Sequence, residues 1–383
     1  LTVGTVMRPV TYHHKISREK LAYLIDAMAA PICIIAPISS WAASILTYLP
    51  EDVDRMKLFL TTIPFNFYAI LTIVMVILLS IWNLDFGPMA KFERHAKHRK
   101  TIDDIKTVST HTDDFSNRYI SEKGKVYELL IPIFALILFS VLAMLYTGGY
   151  FSENKTLFQA FGDTDPTKSL VLGGFGAVIV AFILFLPRKV LNFYDFMDGI
   201  VLGVKSMVTA CMILAFAWTI KGTCDILSTG EYVSHIVETS NMPVVLIPAI
   251  VFLIAALLSF SIGTSWGTFG ILIPIMVTVS ESVAPELLVI NLAATLAGSV
   301  FGDHCSPISD TTILSSTGAA CSHIDHVTTQ IPYASIVASV SLIGFIIAGL
   351  TKSWLFSFGA ALILLITILI VLNKKNRSLY GDE

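Results

Sequence analysis

Charge is what this sequence has least of. Only 14% of its 383 residues are Asp, Glu, Lys or Arg, against about 25% in soluble domains. With 55% hydrophobic residues and a mean hydropathy of +0.76, that scarcity excludes an ordinary soluble domain. It points to an all-α, polytopic membrane protein lying in a lipid bilayer. A net charge of −3 offers no basic surface for nucleic acid, so none is expected as a partner. Cysteine is sparse too. The five, at 33, 211, 224, 305 and 321, are odd in number, scattered through apolar runs and form no CxxC pair, so no disulfide framework is read. Residues 1–20 lack an initiator Met and are too polar for the apolar core of a signal peptide. The chain is expected to begin in mid-protein.

What is present is long apolar runs. A spanning helix needs about 20 mostly apolar residues. The candidates are 21–48, 61–82, 127–147, 170–187, 197–220, 244–262, 267–281, 285–301, 328–350 and 354–373. Residues 304–321 are apolar enough for membrane depth but too polar to face lipid. Gly and Pro interrupt two runs, "MAAPICIIAPISSW" with Pro31 and Pro37, and "SFSIGTSWGTFGILIP" at 259–274. A proline inside a helix frees a carbonyl, which in a membrane must find a neighbouring helix, a water or an ion. Paired interruptions mark the central sites of transporters.

The stretch 83–126 holds nine Lys and Arg. The positive-inside rule places it in the cytoplasm as a solvated, partly helical linker, with residues 8–20 on the same side. "KISREKLAY" (15–23) also echoes "HIDHVTTQIPY" (323–333).

The densest polar chemistry is "VFGDHCSPISDTTILSSTGA", residues 300–319, where Asp303 and Asp310 stand among seven Ser and Thr hydroxyls. A carboxylate at bilayer depth is costly unless it meets water, a partner or a cation. Oxygen ligands of this kind suit a hard monovalent cation, and Pro307 frees carbonyls beside them. A carboxylate that releases Na+ and takes H+ makes a simple exchanger. The bland alternative, a hydroxyl-rich packing face, accounts for the hydroxyls but not for the two aspartates. His304 and Cys305 are adjacent, so one helix points them apart, and no second pair has zinc-ligand spacing; both are read as bystanders. His323 and His326 are read as interface residues.

A second cluster, "SIGTSWGTFG" (261–270), offers Thr264, Ser265 and Thr268 at an expected helix break. Gly263 and Gly267 in GxxxG spacing leave a packing face as the alternative. Asp26, Asp195, Asp198 and Lys205 are isolated charges in apolar runs, and Asp26 is open to a helix-capping role. Asp198 and Lys205 are too far apart along one helix to pair directly.

"GTSWGTFGILIPI" (263–275) and "GDHCSPISDTTILSSTGAACSHIDHVTTQIPYA" (302–334) closely resemble the NhaC-type Na+/H+ antiporters. "VGTVMRPVT" (3–11), "ISREKLAYLID" (16–26) and "APISSWAA" (36–43) also look like that family. The resemblance implies about ten transmembrane segments with broken or re-entrant helices and inverted repeats. Residues 1–82 would be the remainder of the first repeat, 83–126 the linker, 127–373 the second repeat with the core site, and 374–383 a tail. It further implies Na+/H+ exchange across a bacterial cytoplasmic membrane, with no cofactor beyond the transported ions. The site would comprise Asp303, Asp310, Ser306, Ser309, Thr264, Ser265 and Thr268, with Asp26 in the matching part of the first half. The family's aspartate-rich D-D-Y-x-N stretch lies ahead of "LTVGTVMRP", so an opening region is expected to be missing.

Relatives of this type also exchange malate and lactate. A small organic anion is therefore a second candidate partner, with Lys205 the one obvious side-chain cation for it. A homodimer is left open. An intramembrane hydrolase or a passive channel would need, respectively, a nucleophile–base geometry or free dissipation of a gradient. The topology has two solutions. A re-entrant 304–321 puts the "NKKNR" tail inside, whereas inverted repeats put it outside.

Overall fold

The computed structural model describes residues 2–97, 125–228 and 243–380, apart from 38, 51, 52, 153, 154, 158, 159 and 161–163, together with 232, 235 and 239. Most of the basic stretch 83–126 lies outside them. In chain order the α-helices are α1 (Thr2–His13), α2 (Arg18–Ile35), α3 (Ser40–Tyr48), α4 (Arg55–Thr62), α5 (Phe67–Trp82), α6 (Gly87–Lys97), α7 (Val126–Thr147), α8 (Pro166–Phe185), α9 (Phe193–Ile226), α10 (Ile247–Ile262), α11 (Ser265–Val283), α12 (Leu288–Cys305), α13 (Asp310–Ala319), α14 (His323–Thr351) and α15 (Trp354–Tyr380). Among the described residues, 8 helical stretches are long and apolar enough to cross a membrane. The chain is an all-α polytopic membrane protein.

One expected span is corrected. Residues 21–48 form two helices, α2 of 18 residues and α3 of 9. Pro37 disfavours helical geometry at the residue before it. Ser39 then starts α3, its hydroxyl accepting from Ala42 N at 3.0 Å. Pro31, by contrast, is accommodated inside α2. The stretch 197–220 lies within the 34-residue α9.

Packing divides the chain into two units: Leu1–Ile35, Thr61–Asp113 and Thr219–Glu383 form one, Ala36–Leu60 and Asp114–Trp218 the other. In the first unit α12 is the central element, packed on α10, α11, α14, α5 and α2. Gly298 and Gly302 let it approach α10. A Cβ on Gly298 would stand 2.3 Å from Phe252 O, and one on Gly302 2.2 Å from Ala256 O. Residues 298 and 302 thus form a small-residue packing face.

Helices α1 and α13 end alike. Ile16 N donates to Thr11 O at 2.9 Å and Cys321 N to Ser316 O at 3.1 Å, while Lys15 and Ala320 are left-handed at φ 55° and 56°. Both are six-to-one closures of a helix C-terminus. In each, the next residue but one is a serine that caps a long helix. Ser17 Oγ accepts from Lys20 N at 3.1 Å, and Ser322 Oγ from Asp325 N at 3.5 Å. The stretches 15–23 and 323–333 thus share a helix end, a serine cap and the start of a long helix. The long helices α2 and α14 pack together, with the Tyr23 and Tyr333 rings 4.9 Å apart.

The linker expected from residue 83 begins instead as packed structure. Met89, Ala90, Glu93 and Ala96 are buried along one face of α6. Glu93 accepts from Ser17 N at 2.8 Å, and Lys20 pairs with Asp85 at 2.9 Å. The start of α2 and the segment after α5 therefore share one end of the unit.

In the second unit α7 packs tightly on α8. A Cβ on Gly173 would meet Ser140 Oγ at 2.1 Å. At one end Thr147 Oγ1 bonds Ser169 Oγ at 2.8 Å and Thr164 Oγ1 at 2.9 Å. Glu128 pairs with Arg188, whose guanidinium lies 4.9 Å from the Tyr127 ring centre. Phe134, Val171, Phe175 and Ile183 are exposed, as expected of helices bathed in lipid.

The glycine contact gives a testable outcome. Gly302→Ala forces backbone apart, so overpacking of about 1–3 kcal/mol is expected. Its thermal midpoint in detergent should fall by several degrees. Gly359→Ala, where an added Cβ meets nothing within 4 Å, should leave the midpoint unchanged or raise it. Equal midpoints for the two variants would contradict the close contact.

Candidate functional site: two helix breaks around Asp303

Two breaks meet at one end of α10 and α12. The first is Gly263, left-handed at φ 76°, followed by Thr264, which caps α11 by accepting from Trp266 N at 3.2 Å. The second runs from Ser306 to Ser309, between α12 and α13. They touch: a Cβ on Gly263 would lie 2.5 Å from Ile308 Cγ1, so glycine serves both the turn and the approach. Ser306 Oγ donates to Phe260 O at 2.8 Å, tying the second break to a carbonyl in the last turn of α10.

Asp303, 3% exposed, lies in the last turn of α12 between the breaks. Ser265 Oγ, on the first residue of α11, donates to its Oδ2 at 2.8 Å. Ser309 Oγ, on the residue just before α13, donates to its Oδ1 at 2.5 Å. Two helix N-termini, the electropositive ends, thus face one carboxylate. Thr311 Oγ1 lies 2.9 Å from Ser309 Oγ, and Ser265 Oγ is also 3.2 Å from Ser299 O. The result is a group of one carboxylate, three hydroxyls and a carbonyl, all of them oxygen and all but the half-buried Thr311 on buried residues.

The structure sorts the residues singled out from sequence. Asp303, Ser265 and Ser309 come together. Thr264 and Ser306 shape the breaks, and Thr268 Oγ1 bonds back to Thr264 O at 3.2 Å. Asp310 is exposed on the first turn of α13 and does not share the Asp303 hydrogen bonds. Asp198 and Lys205 are exposed on α9, in the second unit, and Asp195 is half-buried there. His323 joins the start of α14 to the second break through Pro307 O at 2.5 Å.

His304 and His326 belong to a second polar group. Both are buried, in a network with Asp26, which is 0% exposed. His326 Nε2 lies 3.3 Å from Asp26 Oδ2, and Gln330 Nε2 donates to the same oxygen at 2.9 Å. Gln330 Nε2 also donates to His304 O, and the Tyr68 hydroxyl bonds His304 Nδ1 at 2.7 Å. Asp26, in the middle of α2, is therefore not a helix cap. The available signal was spacing. Tyr23 and Asp26, and His326 and Gln330, each lie on one helical face within apolar runs, but only packing brings the faces together.

The Na+/H+ antiporter family model matches residues 5–350. A protein of Haemophilus influenzae is 40% identical over 387 aligned positions, covering 98% of this chain and 72% of its own length. The malate-2H+/Na+-lactate antiporter of Bacillus subtilis is 27% identical over 208 positions, 47% of this chain and 43% of that protein. An arginine/ornithine antiporter of Halobacterium salinarum is 38% identical over 110 positions, 27% of this chain and 22% of its own. No solved structure matches the chain.

Gly263→Ala tests the junction of the breaks. A left-handed alanine costs about 1–2 kcal/mol, and its Cβ also strikes Ile308. Thermal unfolding should show a loss that Ile308→Ala, combined with it, restores in part. Strictly additive effects of the two substitutions would show that the breaks do not touch.

Proposed function

The chain belongs to the Na+/H+ antiporter family, and from that premise we propose that it exchanges Na+ for H+ across a bacterial cytoplasmic membrane at Asp303. It is a secondary transporter and a multi-pass membrane protein, not an enzyme. One observation carries the assignment to Asp303: a buried carboxylate whose two oxygens are met by serines from two separate helix starts.

The chemistry follows from the donors. The Ser265 and Ser309 hydroxyls donate to the carboxylate. A hydroxyl is also an acceptor, so when Na+ enters both can turn their lone pairs to it. Thr311 Oγ1 and Ser299 O are further oxygen ligands within the group. Na+ and H+ compete for the single charge of Asp303, so the site carries one or the other. Either one neutralises the carboxylate for passage through a low-dielectric interior. Alternating access would then come from movement about the breaks.

One observation favours a second reading, exchange of an organic acid together with the cations. The N-termini of α11 and α13 converge at Asp303, and helix N-termini bind carboxylates without a side-chain cation. A relative named as a malate-2H+/Na+-lactate antiporter supports it.

The test is collapse of a pH gradient on Na+ addition, in vesicles carrying the protein. Asp303→Asn should abolish the response, and Asp310→Asn should retain it. Ser265→Ala and Ser309→Ala should each raise the Na+ needed for half-response by about tenfold, the scale of one lost hydrogen-bonding group at about 1.4 kcal/mol. Thr268→Ala should change it little. Because H+ competes, half-saturating Na+ should rise as pH falls. A full response in Asp303→Asn would remove the site assignment, and a response that requires malate or lactate would favour the second reading.

A further inference from the structure

The Asp26 network contains four buried side-chain atoms without a hydrogen-bond partner: Asp26 Oδ1, His326 Nδ1, Gln330 Oε1 and His304 Nε2. Three belong to residues bonded through a single carboxylate oxygen, Asp26 Oδ2, or directly to it. Buried polar atoms gathered in this way require water or another ligand. The groups facing them are Tyr23 of α2, Tyr68 of α5, His304 and Cys305 of α12, and Tyr333 of α14 behind Tyr23. The cations of the neighbouring segments are engaged elsewhere. Lys20 pairs with Asp85 and Glu93, Arg8 donates to the carbonyls of Thr317 and Gly318, and Arg18 to that of Ala320.

We infer that Asp26, His326 and Gln330 form a second, hydrated proton-binding site, separate from Asp303. His326 Nε2, beside a carboxylate, carries the hydrogen in the neutral ring, which leaves Nδ1 as a bare acceptor. One proton from water lands on Nδ1, and the pair passes from carboxylate and imidazole to carboxylate and imidazolium. The net charge rises from −1 to 0, and the same proton returns to water on release. Gln330 holds Asp26 on one side and the His304 carbonyl, next in the chain to Asp303, on the other. Asp303 and His304 are consecutive residues of α12, so the two centres share one turn of helix. A cation seated at Asp303 therefore disfavours the imidazolium, which couples the two sites. This coupling alone rests on the exchange reading above.

The experiment uses the full chain in lipid nanodiscs with 15N-labelled histidine, following the imidazole nitrogens from about pH 5 to 9, the range in which histidine titrates. The His326 signal, identified by its loss in His326→Gln, should titrate within that range. Asp26→Asn should lower its proton affinity by about tenfold or more, since the neighbouring negative charge is lost. That shift also identifies the signal if His326→Gln does not fold. Added Na+ should lower the proton affinity in the wild type and not in Asp303→Asn. A His326 that stays neutral throughout, or titrates identically in Asp26→Asn, overturns the proton site. Titration that responds to Asp26 but not to Na+ supports the proton site while removing Na+ from Asp303.

Discussion

A carboxylate held away from water must be given its partners by the protein, and the first unit is arranged around that demand at Asp303. Two hydroxyls reach it only because two helices begin beside it, and those helices begin there only because the chain breaks at Gly263–Thr264 and at Ser306–Ser309. In lipid a break exposes backbone groups that regular helix would satisfy. Ser306 covers one carbonyl of α10, Thr264 one amide of α11, and Ile308 packs over Gly263. The breaks thus stabilise one another, and the carboxylate is their shared centre.

The same demand recurs one residue along α12. His304 leaves α12 about 100° further round the helix than Asp303, beside α2, α5 and α14, where Tyr68 and Gln330 hold its ring and carbonyl. A single turn of helix therefore serves two polar centres. Close packing of α12 on α10, through Gly298 and Gly302, sets the depth of both at once. The ends of α1 and α13, with the same six-to-one closure and serine cap, deliver α2 and α14 to the second centre.

Much of this was legible in the sequence. Apolar run length predicted helices, since lipid leaves a chain of this composition little else. The GTSWG and SPIS stretches predicted the breaks, because Gly and Pro with short hydroxyl residues end and restart helices for local reasons. Asp303 stood out because an unpaired charge in an apolar run demands an explanation. Asp310 carries the same signal but lies exposed, seven residues further on and beyond a break, so helical spacing does not relate the two. Nothing local distinguishes His304 from Cys305, because the groups that hold His304 are remote in sequence.

The sequence by itself determined the helical class, the positions of the breaks and the carboxylate and hydroxyl character of the site. Each depends on residues within a turn or two of one another. Tertiary structure alone decided which aspartate the serines of two helices enclose, and that Asp26 meets His326 across 300 residues. Those pairings depend on which helix faces pack together. Periodicity shows that a face exists, but not what it will meet.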